Sequence, residues 1–162
     1  FMPERDRENM TKKQMLARIA VAAGGNAAER LVFKDISTGA AADIRSASAI
    51  ARDMVKRYGM SDRLGFIQYG DLDELEYLGY GYERRDYSDQ TARDIDMEVK
   101  EIVNSAQKSA ESTLREHERE LHDLSDLLLK KEVLDDKELD AFFEARGQEN
   151  NSEKAVGQDK RR

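Results

Sequence analysis

Residues 88–128 read SDQTARDIDMEVKEIVNSAQKSAESTLREHERELHDLSDLL, and this stretch decides the fold. Thr91, Ile95, Val99, Ile102, Ala106, Ala110, Leu114, His117, Leu121, Leu124 and Leu128 follow one another in steps of three and four. Such steps keep one face of a helix turned towards a core, here for about ten turns. Ser88 stands where an N-cap belongs, ahead of the first periodic residue. The pattern predicts one long helix, or two with a bend, and makes the chain mainly α.

Working outward, residues 41–58 carry a second stripe: Ile44, Ala47, Ala51, Met54, Val55 and Tyr58. Gly59 follows where a C-terminal glycine cap is expected. Thr11-Lys12-Lys13-Gln14 reads as a capping box for a helix bearing Leu16, Ile19, Ala20 and Ala23. Gly24-Gly25 is expected to stop or bend that helix, with a short one resuming from Ala27 to Phe33. Ser37-Thr38-Gly39 makes the next turn, and Met60 to Gly65 a loop. Residues 66–87 mix acids with tyrosines and are expected to form a surface loop with a short strand. Downstream, Leu134 to Phe143 forms a last helix, with Asp135 or Asp136 near its start and Leu139, Phe142 and Phe143 facing inward. The apolar pattern ends at Gly147, so residues 147–162 are expected to be a disordered charged tail.

Of 162 residues, 38% are charged and 39% apolar, a balance suited to amphipathic helices with charged outer faces. Cysteine is absent, which excludes disulfides, thiolate metal sites and cysteine catalysis. Asp and Glu number 34 against 27 Lys and Arg, a net charge of −7. That balance argues against nucleic acid as a partner, because phosphate binding needs a basic surface. The terminal Lys160-Arg161-Arg162 reads as solvated tail. No apolar stretch approaches the roughly 20 residues of a membrane span. The chain opens without methionine and in mid-pattern, without the features of a signal peptide, and is expected to be a piece of a longer protein.

The two histidines are spaced His117-Glu118-Arg119-Glu120-Leu121-His122. A zinc-protease helix needs H-E-x-x-H, where a four-residue step turns about 40° and both rings meet one metal. The five-residue step here turns about 140°, so the rings diverge. These are expected to be surface histidines. Gly79-Tyr80-Gly81 lacks the later glycine and lysine of a phosphate loop. Asp43 falls in the first turn of a predicted helix, where an acid complements the helix dipole and caps free N–H groups. A carboxylate can also complete a zinc site whose histidines lie elsewhere. Glu29 is a second candidate by charge alone; a solvent-facing helix acid is its simpler account.

Thr11 to Ile19, Gly24-Gly25-Asn26-Ala27-Ala28-Glu29, Ser37-Thr38-Gly39-Ala40 with Asp43-Ile44, and Ile50 to Val55 occur in an order that resembles the peptidase domain of FtsH-type AAA+ zinc metalloproteases. The likeness continues through Tyr58-Gly59-Met60-Ser61, Leu64-Gly65, Tyr87 to Ala92 and the leucines of the last helices. It implies a helical peptidase-domain fragment with a long antiparallel helical C-terminal portion, residues 1–146 forming the C-terminal part of that domain. It implies that zinc is held by Asp43 and by two histidines of an H-E-x-x-H helix lying N-terminal to this chain. The general-base glutamate lies on that helix too, so no catalytic residue is expected within the chain. The resemblance gives Glu29 no ligand role.

The resemblance further implies a homo-hexamer acting on protein substrates, with ATP and Mg2+ at a module outside this chain. The membrane would be reached only through other segments, at the cytoplasmic face of a bacterial inner membrane or at an organelle membrane. The chain by itself is expected to be soluble and inactive, with apolar surface uncovered around Leu16, Ile19 and Met54. The alternative function is a non-catalytic helical scaffold or interaction module derived from the same domain. Three positions depart from the family pattern: Asn26 replaces a common arginine, Arg30 a common glutamate, and Ala42 a frequent asparagine.

Overall fold

Thr11 opens the first helix as its capping box requires. The Gln14 N–H donates to the Thr11 hydroxyl oxygen at 3.3 Å, and the Thr11 N–H donates back to Gln14 Oε1 at 2.8 Å. In this computed structural model, which describes residues 9–70 and 86–146, helix α1 then runs unbroken over Lys12–Val32. The expected stop at Gly24-Gly25 is therefore corrected. A helix-interior glycine costs roughly 1 kcal/mol relative to alanine. Burial of Met15 and Ile19 before the pair and of Ala27 after it holds both halves in one helix. Tertiary packing overrides local propensity at this point. The helix ends where the Phe33 N–H donates to the Glu29 carbonyl and Lys34 turns to φ +58°.

A 3₁₀ turn, Thr38–Ala40, leads directly into α2, Ala41–Lys56. Ala47, Ala51 and Met54 of α2 pack with Met15 and Ile19 of α1, and Val55 is buried as well. Ile44 and Tyr58, expected on the same stripe, are 58% and 50% exposed because they lie beyond the two ends of the packed face. Past the helix, Tyr58 N–H reaches the Asp53 carbonyl and Met60 N–H the Met54 carbonyl. Gly59 makes that wrap possible at φ +58°, and a Cβ there would lie 3.2 Å from the Phe66 Cα. The glycine cap read from the sequence holds, three residues past the last helical residue, Lys56.

Ser88 begins α3, Asp89–Glu116, by accepting from the Thr91 N–H at 3.2 Å. Ile95, Ala106 and Ala110 are buried, and Val99, Ile102 and Val103 close over the core of Met15, Ile19, Ala47, Ala51 and Met54. The connection from α2 is a loop over 60–65, as expected. Buried Ser61 ties it to α3: its hydroxyl donates to Glu98 Oε1 at 2.8 Å and accepts from the Leu64 N–H at 3.1 Å. Arg63 pairs with Asp94 at 2.6 Å. Residues 66–70 are irregular, while residues 71–85, the middle of the 66–87 stretch expected to be a loop with a short strand, lie outside the described residues, as does the tail from Gly147.

Two compact units divide the chain, residues 1–114 and 115–162. The second holds α4, Glu118–Lys131, and α5, residues 136–146. The long periodic stretch is thus two helices, separated at His117, which has the non-helical φ/ψ of −117° and 28°. Lys131 pairs with Glu138 beside the turn, and Asp123 with Arg146 two turns away, so α4 and α5 run antiparallel. Asp135 caps α5 reciprocally, accepting from the Glu138 N–H while Glu138 accepts from the Asp135 N–H. The inward-facing expectation for α5 needs correction. Leu139 is 36% and Phe143 50% exposed, and only Phe142 is half-buried, under the Arg146 guanidinium. Two helices on their own cannot enclose both apolar flanks.

Candidate functional site

The residues proposed for chemistry flank the α1–α2 connection. α1 brings Glu29 to its last turn, the connection supplies Ser37, and α2 carries Asp43 in its first turn. Ser37 is the hub. Its backbone N–H donates to Glu29 Oε2 at 2.8 Å and its hydroxyl to Glu29 Oε1 at 2.7 Å. The same hydroxyl oxygen accepts from the Gly39 N–H at 3.2 Å and so caps the 3₁₀ turn. The Ser37 backbone N–H, and after it the Ser37 hydroxyl, holds the Glu29 carboxyl below its ordinary value by bonding the charged form. Burial and the nearby Asp35 charge oppose that shift and are outweighed.

Asp43 presents the opposite case. Its carboxylate is exposed and makes no hydrogen bond or ion pair among the described residues, and α2 has no side-chain cap. The capping role that physics alone offers this acid is therefore unused, leaving its place in the helix dipole. A four-residue step puts Asp43 nearly in line with buried Ala47, one turn beyond the packed face. Its backbone is thus anchored while its head group is available. The connection and the first turn of α2 expose apolar side chains: Phe33 is 74%, Ile36 54% and Ile44 58% exposed. Exposed apolar surface does occur in this unit, but not where it was expected. Ile19 and Met54 are fully buried, and Leu16 packs against their cluster, because α3 closes over them.

Asn26 and Arg30 turn out to be linked. Arg30 Nε donates to Asn26 Oδ1 at 3.0 Å, across one helical turn. The two departures from the family pattern thus form a mutual contact on α1. Gln107 of α3 also reaches Asn26 Oδ1, at 3.4 Å, so the pair helps seat α3.

His117 and His122 belong to the second unit. His117 sits at the N-cap of α4 with Nδ1 3.5 Å from Glu120 Oε1, and His122 is exposed. Among the described residues no three His, Cys, Asp or Glu side chains lie close enough to hold a metal. One further concavity was not foreseen: a cleft of about 380 Å³ between α2 and α3 with Arg52, Lys56, Tyr87 and Asp96 in its walls. Burial there, reinforced by Arg57 and Arg52, pushes the Lys56 ammonium below its ordinary pKa. The cleft mixes both signs of charge, and residue types scattered over 45 positions gave no signal in sequence.

The profile of peptidase family M41 matches residues 1–142. The ATP-dependent zinc metalloprotease FtsH 1 of Thermomicrobium roseum is 45% identical over 144 residues, covering 88% of this chain and 22% of that protein. The FtsH 1 protein of Sphaerobacter thermophilus is 44% identical over 144 residues, with the same coverages of 88% and 22%. The FtsH protein of Caldicellulosiruptor bescii is 43% identical over 135 residues, or 83% of this chain and 22% of that protein. The chain belongs to peptidase family M41, and it spans about a fifth of the length of these relatives.

Proposed function

We propose that this chain is the C-terminal part, over residues 1–146, of the peptidase domain of an ATP-dependent zinc endopeptidase, and that Asp43 is a zinc ligand. The observation that carries the ligand assignment is the unengaged, exposed carboxylate on a backbone anchored by Ala40 and Ala47. It fits a hard oxygen donor in a mixed histidine–carboxylate zinc site. Glu29 fits poorly, since both of its oxygens already serve Ser37.

A catalytic zinc site needs three protein ligands and an open position. The remaining two are the histidines of an upstream H-E-x-x-H helix, whose glutamate serves as general base. Bound zinc supplies Lewis acidity towards the scissile carbonyl and lowers the pKa of water. Within this chain, Asp43 binds, Ser37 and Gly39 shape the turn beneath it, and the packed α1–α2–α3 core keeps the helix head in place. The intact protein acts on protein substrates as a homo-hexamer, with ATP and Mg2+ bound in a separate module. Membrane attachment, at the cytoplasmic face of a bacterial inner membrane or an organelle membrane, belongs in this reading to segments outside this chain; no described helix is long and apolar enough to cross a membrane.

The test uses the full-length protein. Asp43→Ala should lower zinc content after dialysis and abolish most casein cleavage while ATP hydrolysis persists. Wild-type proteolysis in Asp43→Ala would remove Asp43 from the site.

A further inference from the structure

We propose that Glu29 is a positioning residue for Asp43, acting through Ser37. The proposal rests on the reading of Asp43 as a ligand, and goes beyond it by assigning a role to a residue that touches neither metal nor substrate.

The geometry is a chain of hydrogen bonds running from the end of one helix to the head of the next. Glu29 Oε2 accepts from the Ser37 N–H at 2.8 Å and Oε1 accepts from the Ser37 hydroxyl at 2.7 Å. A hydroxyl has one proton. With that proton committed to Glu29, the lone pairs of Ser37 Oγ are left for the Gly39 N–H at 3.2 Å. Gly39 lies inside the 3₁₀ turn, and the Ala41 N–H closes that turn on the Thr38 carbonyl. Ala41 is the first residue of α2 and Asp43 the third. Burial of Ala40 and Ala47 fixes the inner side of this segment, and the Glu29–Ser37 clamp fixes its outer entry.

Asp43 has no hydrogen bond of its own among the described residues, so the backbone beneath it is what fixes where its side chain starts. A metal ligand normally has a hydrogen-bonded partner that orients it. Here the orienting bonds are made one step back, at the turn. The same clamp explains why two acids with equal charge differ in role: one is engaged at both oxygens and the other at neither.

The experiment measures zinc affinity of the full-length protein and the visible absorption of its cobalt(II)-substituted form, with circular dichroism melting as the check on folding. Asp43→Ala sets the scale for a lost ligand. Glu29→Ala should weaken zinc binding by about 10-fold or more and shift the cobalt bands. Ser37→Ala, which keeps the backbone N–H, should lose less. Glu29→Gln, which still offers an acceptor to that N–H, should recover most of the affinity. Wild-type zinc affinity and cobalt bands in Glu29→Ala, alongside loss in Asp43→Ala, would overturn the proposal and leave the ligand reading standing. Glu29→Gln as damaging as Glu29→Ala, with both matching Asp43→Ala, would overturn it by making Glu29 itself a ligand. Zinc retained in Asp43→Ala would bring down both the ligand reading and this one. If Glu29→Ala does not fold, Ser37→Ala decides: unchanged zinc affinity there overturns the proposal.

Discussion

The two units of this chain are held together by different physics. Every buried apolar residue among those described belongs to residues 1–114, where alanines on α1, α2 and α3 let Met15, Ile19 and Met54 close into a core. In residues 115–162, α4 buries nothing, and the hairpin with α5 rests on two ion pairs, a reciprocal cap and half-covered side chains. A core resists salt and pH because its stabilisation is apolar burial. Exposed ion pairs contribute roughly 0–1 kcal/mol each and weaken as ionic strength rises. The candidate ligand stands on the unit with the core, which suits a residue whose direction has to be held.

The contrast can be broken most forcefully from inside the first unit. Met54→Ala should destabilise that unit by about 2–5 kcal/mol, by lost burial and the cavity left behind. Chemical denaturation followed by amide NMR should show α1, α2 and the first part of α3 melting earlier together, with residues 118–146 little changed. Equal loss in both units would mean that they do not fold separately.

Acid should act on the second unit. The Lys131 side chain, and then the Asp135 N–H, holds the Glu138 carboxyl below its ordinary value of 4.5. Its contribution is therefore fully present above that value and is lost as pH falls through the lower folded value. Amide shifts of residues 136–146 should move towards random coil in that window, earlier than those of α2. Glu138→Gln should weaken the pH dependence, and Asp135→Ala should cost the hairpin about 1 kcal/mol as a lost cap. An acid-insensitive α5 would show that apolar contact rather than charge holds it.

The smallest effect sharpens the comparison in the stabilising direction. Apart from the adjacent residues and the backbone of α1 itself, no described atom lies within 4 Å of where a Cβ on Gly24 or Gly25 would stand, and both are helical. Gly25→Ala should raise the melting stability of the first unit by about 0.5–1 kcal/mol. Destabilisation there would reveal a close neighbour for α1 outside the described residues.

Much of the architecture was legible in the sequence for reasons that are local. Thr11-Gln14, Ser88 and Asp135 announce helix starts through bonds made within three residues, and Gly59 announces an end through its own φ. Stripes at three- and four-residue spacing located the core faces of α2 and α3. The Gly24-Gly25 stop was misread because its correction comes from burial of Met15, Ile19 and Ala27 against other elements. Leu139 and Phe143 were misread for a related reason: periodicity marks an apolar face but not whether a neighbour covers it.

The site divides along the same line. By itself the sequence determined that the chain is mainly α, that the spacing of His117 and His122 does not suit one metal, and that Asp43 and Glu29 are the acids to weigh. Charge and helix position could not separate those two, because both are carboxylates near helix ends. Only the tertiary structure decided which is engaged. It brought Ser37 back against the last turn of α1, where two donors converge on Glu29, and left Asp43 one turn beyond the packed face with no partner among the described residues. A hydrogen bond spanning eight residues depends on where the chain turns, and that turn is set by the packing of α1 against α2.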